Sequence, residues 1–343
     1  MKPRKIFSLL LLILFIAGAV IAWKLFGPTV KAPKDKYLYI TSNSTFADVK
    51  KNLIHNNILS STWWFDKVSS YLHYNERVKP GRYKINDGMS LVSLVRMLRS
   101  GNQVPVKLVI TKLRTKEDLA KKIGDNFECD STVVMHFLDS NDSISKYNLD
   151  TNTVLTAIIP NTYSFTWNNS PSRIFKKLYT EQQTFWTTER KKKAENLHLG
   201  LKDVYILSSI VEEETNKDDD KGKIASVYVN RMRHDMKLAA DPTVKFAMRD
   251  FALKRIRFKH LSFNSPYNTY QHPGLPPGPI CTPSIRTIDA VLNMPSTDYL
   301  YFVARNDFSG YSNFSTGYAE HLKNAKAYQD ALDSVIRLKQ ESN

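Results

Sequence analysis

Three glutamates, Glu212, Glu213 and Glu214, close the stretch LSSIVEEET directly after an apolar run. Read as a helix turning about 100° per residue, VYILSSIVEEET sets Val204, Leu207, Ile210 and Val211 along one apolar stripe. With Leu207 as zero, Ile210 and Val211 lie about 60° and 40° to either side, and Glu214 returns to within about 20°. Glu212 and Glu213 fall about 140° and 120° away, on flanks that normally meet water. The phase thus makes Glu212 and Glu213 surface or rim charges and sends Glu214 toward the buried side. Burial disfavours the ionised form of a carboxyl and raises its pKa. A protonated carboxyl beside apolar surface is what general acid cleavage of a glycosidic bond requires. Two plainer readings stand beside this one: the helix stops short of Glu214, or the side chain curls out to solvent.

Further along, YNTY brings Tyr267, Asn268 and Tyr270 together, amide and phenol groups suited to holding hydroxyls or N-acetyl groups. The neighbouring GLPPGPI is too stiff and too poor in N–H donors for a helix or a central strand, so it reads as a rigid loop, with or without a ligand. The sequence contains no HExxH, no CxxC and no Gly-rich phosphate loop, so neither a metal nor a nucleotide cofactor is expected. His136, His234 and His260 are isolated and read as surface or packing residues. Cys129 and Cys281 either pair or remain thiols; two cysteines so far apart make no disulfide framework.

The elements that must position these residues follow from the whole chain. It has 343 residues, 42% hydrophobic and 24% charged, a globular balance with room for two domains. A net charge of +16 suits an acidic polymer, anionic lipid or nucleic acid, but no nucleic-acid-binding signature accompanies it, so nucleic acid is not expected as a partner. MKPRK precedes the uncharged run Ile6–Trp23, which Leu25 and Phe26 extend to about the 20 residues that span a bilayer. Lys2, Arg4 and Lys5 place the N-terminus in the cytoplasm and the rest outside. A cleaved signal peptide at Ala17-Gly18-Ala19 is the competing reading, but the apolar run continues past that site.

After the Pro- and Lys-rich tether GPTVKAPKDK, residues 37–104 read as strand, two helices, strand and helix, with Thr45 or Ser44 capping the first helix and Gly101 stopping the last. This small α+β module resembles glycan-binding LysM units, with a plain spacer as the alternative. From Lys107 the chain is mixed. KEDLAKKIGDNF and DSTVVMHFLDS read as helices, AIIPNTYSFTWNNSPSRI as an irregular aromatic loop, and SRIFKKLYTEQQTFWTTERKKKAEN as one long helix. Helices at LKDVYILSSIVEEE and KIASVYVNRMRHDM follow, then a Pro- and Gly-rich loop, the strand YLYFVA and a polar C-terminal helix.

The ordered set SSIVEEET, IASVYVNRM, MKLAADPTVKFAM, SPYNTYQHPGLPPGPI and YLYFVA resembles the membrane-anchored endolytic murein transglycosylases, the MltG or YceG-like family. The resemblance covers essentially the whole chain and is strongest over residues 205–283. It implies an α+β fold with an N-terminal transmembrane helix, a LysM-like module and a larger catalytic domain. The implied boundaries are 1–27 for the anchor, 28–36 for the linker, 37–104 for the module and 105–343 for the catalytic domain. It also implies cleavage of the β-1,4 bond between N-acetylmuramic acid and N-acetylglucosamine inside glycan strands, leaving 1,6-anhydromuramyl ends. The family's catalytic glutamate, the second of its motif, falls on Glu214, and Glu212 matches the first. Glu213 replaces the usual lysine. Asp241, which precedes Pro242 and also suits a turn or helix cap, joins Glu212, Asn268 and Tyr270 as candidates for positioning the sugar. Ser312, in GYSNF, stands where family members commonly carry a histidine, while His321 matches a later one.

The expected partners are peptidoglycan strands, the lipid bilayer and cell-wall synthesis proteins, and the expected place is the inner membrane with the catalytic part outside it. A muramidase that uses water and a non-catalytic wall-binding scaffold are the rival functions.

Overall fold

The computed structural model describes residues 3–253 and 255–341. Lys2, one of the three cations behind the expected orientation, lies outside them. The chain divides into two compact units: Met1–Leu108 with Asn126–Cys129 and Ser164–Ser170, and Val109–Asp125 with Asp130–Tyr163 and Pro171–Asn343.

In the first unit Pro3–Phe26 (α1) is one helix, and its segment Lys5–Phe26 is long and apolar enough to cross a membrane. Its large side chains, from Ile6 to Trp23, stand exposed, which a helix can sustain when lipid replaces water around it. There follow Tyr37–Ile40 (β1), Phe46–His55 (α2), Trp63–Tyr71 (α3), Gly81–Lys84 (β2) and Leu91–Ser100 (α4). Thr45 and Asp48 form a reciprocal capping box that satisfies donors at the start of α2. Gly101 takes φ 71°, the left-handed turn that ends α4 and that a side chain would strain. Strands β1 and β2 pair antiparallel from Tyr37↔Lys84 to Ile40↔Gly81. Leu38, Ile40, Leu53, Phe65, Tyr83 and Leu94 fill the core beneath them.

Val106–Ile110 (β3) and Asn161–Phe165 (β4) form a separate two-stranded sheet. The irregular loop expected around AIIPNTYSF therefore contains a strand, and Tyr163 and Phe165 alternate inward along it. Pro160 just before the strand and Asn161 at its start, both turn-forming residue types, mask that alternation in the sequence.

The second unit carries Lys116–Gly124 (α5), Ser131–Asp139 (α6) and Asn141–Ile144 (α7) before β4, and Pro171–Phe185 (α8) and Thr188–Asn196 (α9) after it. The single long helix expected here is two. Trp186 is buried at the break, and Thr187 starts α9 anew by accepting the Arg190 N–H on its hydroxyl. Leu201–Glu214 (α10), Asp218–Arg233 (α11), the short Asp241–Ala247 (α12) and Phe258–Leu261 (α13), and Ile285–Leu292 (α14) follow. Tyr301–Ala304 (β5) and Ser312–Ser315 (β6) pair antiparallel, and Tyr318–Glu341 (α15) closes the chain.

Helix α10 sits at the centre of this unit, packed by α9, α11, α12 and α14. Every side chain from Val204 to Val211 is buried, including Tyr205, Ile206, Ser208 and Ser209, which the stripe model had left outward. The two serines tolerate burial because their hydroxyls donate back to Val204 O and Ile206 O, each at 2.7 Å.

Candidate active site

The last turn of α10 carries three carboxylates at the end of a helix whose free carbonyls already give it partial negative charge. Helix stability alone disfavours that arrangement, so the surroundings must compensate each charge or suppress it. Glu212 and Glu213, expected as surface or rim charges, stand at the rim rather than in open solvent: their side chains are 15% and 18% exposed. Glu212 accepts hydrogen bonds from Ser284 (3.0 Å) and Thr287 at the start of α14, with Lys221 Nζ 4.0 Å away. Glu213 lies 2.8 Å from Lys112 Nζ and 3.3 Å from Arg114 Nη2. Burial pushes its pKa up, but these two cations outweigh that and hold it below the ordinary carboxylate value.

Glu214 receives neither cation nor hydroxyl pair. Among the described residues its hydrogen bond comes from Tyr228 on α11, whose hydroxyl donates to Oε1 at 2.6 Å. Loss of solvation raises its pKa to about 7; the Tyr228 hydrogen bond pulls down, the Asp241 charge pushes up, and Lys245 and Arg231 pull down from farther off. The residue as a whole is half-buried, and protein surrounds its carboxyl. Near neutral pH it therefore holds its proton about half the time. Glu213 and Glu214, adjacent in sequence, are thus shifted in opposite directions, and Glu214 is poised to give a proton and take one back.

Tyr228 is positioned by its own burial and by Phe302 of β5, whose ring meets it edge-on at 5.9 Å. Arg231, one turn further along α11, donates to Leu300 O and Leu238 O and lies over the Tyr301 ring. His321 stacks on the same Tyr301 ring at 5.2 Å, and burial lowers its pKa. Ser312 holds β6 to α11 through its backbone, donating its N–H to Asp220 at 2.7 Å.

The remaining expected site residues separate into two kinds. Asp241 is exposed at the first position of α12, and Tyr270 donates its hydroxyl to Asp241 Oδ1 at 2.7 Å. Both line one cavity with Arg255, Ile256, Arg257, Phe258 and Leu261. Asn268 does something other than meet a sugar. It is fully buried, its amide donates to Leu261 O and Phe263 O, and its Oδ1 accepts the Tyr270 N–H. With all those contacts made inside the loop, it shapes the 261–270 segment and through it the place of Tyr270. Glu212 likewise serves the α10–α14 junction rather than an open face.

On the far side of α12, Pro242, Lys245 and Phe246 line a second, narrow cavity with Arg114 and Glu213. The stiff loop after YNTY packs hard against its neighbours: a Cβ on Gly278 would lie 2.1 Å from Asn152 O. Among the described residues no group of three or more His, Cys, Asp and Glu is placed to hold a metal ion. Cys281 is buried with Sγ 3.4 Å from Ser209 O, and no disulfide joins it to Cys129.

The model of the YceG-like family matches residues 38–327. The chain belongs to the YceG-like family. It is 28% identical over 332 residues to the endolytic murein transglycosylase of Bacillus subtilis (strain 168), covering 92% of this chain and 91% of that protein. It is 24% identical over 316 residues to the endolytic murein transglycosylase of Streptococcus pneumoniae serotype 2 (strain D39), covering 80% of this chain but 55% of that longer protein. The crystal structure of a yceG-like protein from Listeria monocytogenes superposes with a TM-score of 0.56 at 27% identity, over 84% of this chain and 97% of that one.

Sequence reasoning on this YceG-like chain passed over Tyr228, Lys112 and Arg114. Tyr228 carried a usable signal: with Arg231 it is a polar pair three residues apart, on a helix whose other middle positions, Ile224 to Val229, are buried. Lys112 and Arg114 gave none, because they lie about 100 positions before the glutamate they neutralise.

Proposed function

We infer that this chain is an endolytic murein transglycosylase, a lyase that cuts peptidoglycan strands internally, and that Glu214 is its single acid–base residue. The observation that carries the assignment of Glu214 is its raised pKa, about 7, beside a neutral donor and no cation in contact. Protonated Glu214 gives its proton to the bridging oxygen as the bond to C1 of muramic acid breaks. The carboxylate left behind then takes the proton from that sugar's own C6 hydroxyl, whose oxygen attacks C1 and closes the 1,6-anhydro ring. One proton leaves Glu214 and one returns, no water is consumed, and no second carboxylate is needed opposite. Tyr228 orients the carboxyl. Asp241 and Tyr270, linked to each other on the neighbouring cavity wall, support the bound sugar, whereas Asn268 and Glu212 act through the loops and helices they hold.

The remaining organisation follows from the same reading. Helix α1 anchors the chain once in the inner membrane, N-terminus in the cytoplasm, with the catalytic part outside among peptidoglycan and cell-wall synthesis proteins. The boundaries 1–27, 28–36, 37–104 and 105–343 divide anchor, linker, LysM-like module and catalytic domain. The order β1–α2–α3–β2, with its strands paired antiparallel, supports a LysM-like glycan-binding module at 37–104. A muramidase is the second reading, because Asp241 supplies a carboxylate whose charge reaches Glu214 and which could activate water.

The assignment of Glu214 is tested by release of soluble fragments from purified peptidoglycan. Glu214→Gln, which keeps shape and removes the titration, is expected to lose at least about 100-fold in rate. Retention of near-native activity would remove Glu214 from the mechanism.

A further inference from the structure

The segment Arg255–Lys259, RIRFK, is the most unusual surface of the second unit. Arg255, Arg257 and Lys259 are exposed, and among the described residues no carboxylate pairs with any of them. Phe258 between them is 93% exposed, a large ring left in water. Three cations within five residues repel one another, and an apolar ring at their centre adds a second unfavourable exposure. Yet the segment is held in place. Arg257 N–H donates to the ring of buried His260, and Asn268 and Gln271 fix Leu261 O from the neighbouring loop. A short segment fixed in an unfavourable exposure is organised for a ligand that supplies negative charge and apolar surface.

We propose that Arg255, Arg257 and Phe258 form a docking site for the acidic peptide carried on the muramic acid of the substrate strand, so that the protein discriminates peptide-bearing from bare glycan. The inference rests on the part of the reading above that makes murein the ligand. Arg255 and Arg257 line the same cavity as Asp241 and Tyr270, and Asp241 is close enough for its charge to reach Glu214. In murein the peptide hangs from the muramic acid, the sugar whose C1 bond is broken. A cationic wall one step from Glu214 therefore meets that peptide's carboxylates, which guanidinium forks bind well. Phe258 covers the peptide's aliphatic carbons. Charge complementarity alone also suits an anionic membrane, but a planar lipid surface does not enter a cavity that a side-hanging peptide can.

The test uses the full chain in detergent with Glu214→Gln, so that bound strands survive, and uncrosslinked glycan strands either intact or stripped of peptide by an amidase. Intact strands are expected to bind about tenfold more tightly than bare ones. In Arg255→Gln/Arg257→Gln that ratio falls toward one, and Arg255→Lys/Arg257→Lys restores most of it. Intact strands, and not bare ones, protect Arg255 and Arg257 from phenylglyoxal. Equal binding of both strands, or binding of neither, overturns the proposal. So does protection that follows nanodiscs of phosphatidylglycerol instead of peptide. Cleavage by the unsubstituted chain is scored separately: peptide-dependent binding without cleavage removes the enzymatic reading and leaves this one standing.

Discussion

At the residue scale the decisive contrast is between Glu213 and Glu214, neighbours in one helical turn with pKa shifts of opposite sign. Lys112 and Arg114 turn burial of Glu213 into a paired charge, while Tyr228 can only soften the cost of burying Glu214. Because the Glu214 pKa is raised from 4.5 to about 7, ionisation costs more in the folded chain than in the unfolded one. The stability gained by keeping the proton is complete below 4.5 and is lost as pH rises through about 7. Glu214→Gln should therefore melt with the native chain below pH 4.5, and above it at pH well beyond 7, by up to about 3 kcal/mol. A thermal scan at the two pH values checks this. Activity, which needs the protonated acid, should fall as pH rises through the same value. Tyr228→Phe removes a donor that favours the ionised form, so the alkaline limb of the rate profile should move to higher pH. An unmoved limb would mean that Tyr228 does not tune Glu214.

At the scale of elements, α10 explains both what the sequence disclosed and what it concealed. Its helical phase picked Glu214, yet the phase argument assumed one buried stripe, and α10 is buried all round. Periodicity finds an amphipathic face and says nothing of neighbours packed on other sides, which is why the partners of Glu212 and Glu213 on other elements were not legible. Strand β4 and the break between α8 and α9 escaped because distant residues decide them: the strand's partner β3 lies some 50 residues earlier, and Trp186 at the break is buried in a core built from later helices. The capping of α2 by Thr45 and the stop at Gly101 were legible because each is decided within four residues. Asn268 was legible as a polar residue in a cleft-forming loop but not as that loop's internal brace. Asn268→Ala takes the partner from Phe263 O and the Tyr270 N–H and leaves Leu261 O to the Gln271 amide alone, so it should lower stability by about 2 kcal/mol, visible as a lower midpoint in urea. A change within error would mean that the loop finds other partners.

At the scale of the whole molecule, the match to the YceG-like family over residues 38–327 is preceded by α1, a helix long and apolar enough to cross a membrane, which supports the proposed anchor. Anchoring is checked by fractionation: the full chain should sediment with membranes and resist high salt, whereas a chain beginning at residue 31 should remain in the aqueous phase. Salt-extractable full chain would make α1 something other than a span. The central claim is that Glu214 alone serves as acid and then base, with the substrate's own hydroxyl closing the ring. It is tested most directly by mass spectrometry of the strand ends released from purified peptidoglycan by the native chain and by Glu214→Gln. The account predicts 1,6-anhydromuramyl ends, one water lighter than reducing ends, that vanish with the substitution; reducing ends, with Asp241→Asn as damaging as Glu214→Gln, would contradict it and establish a water-using muramidase.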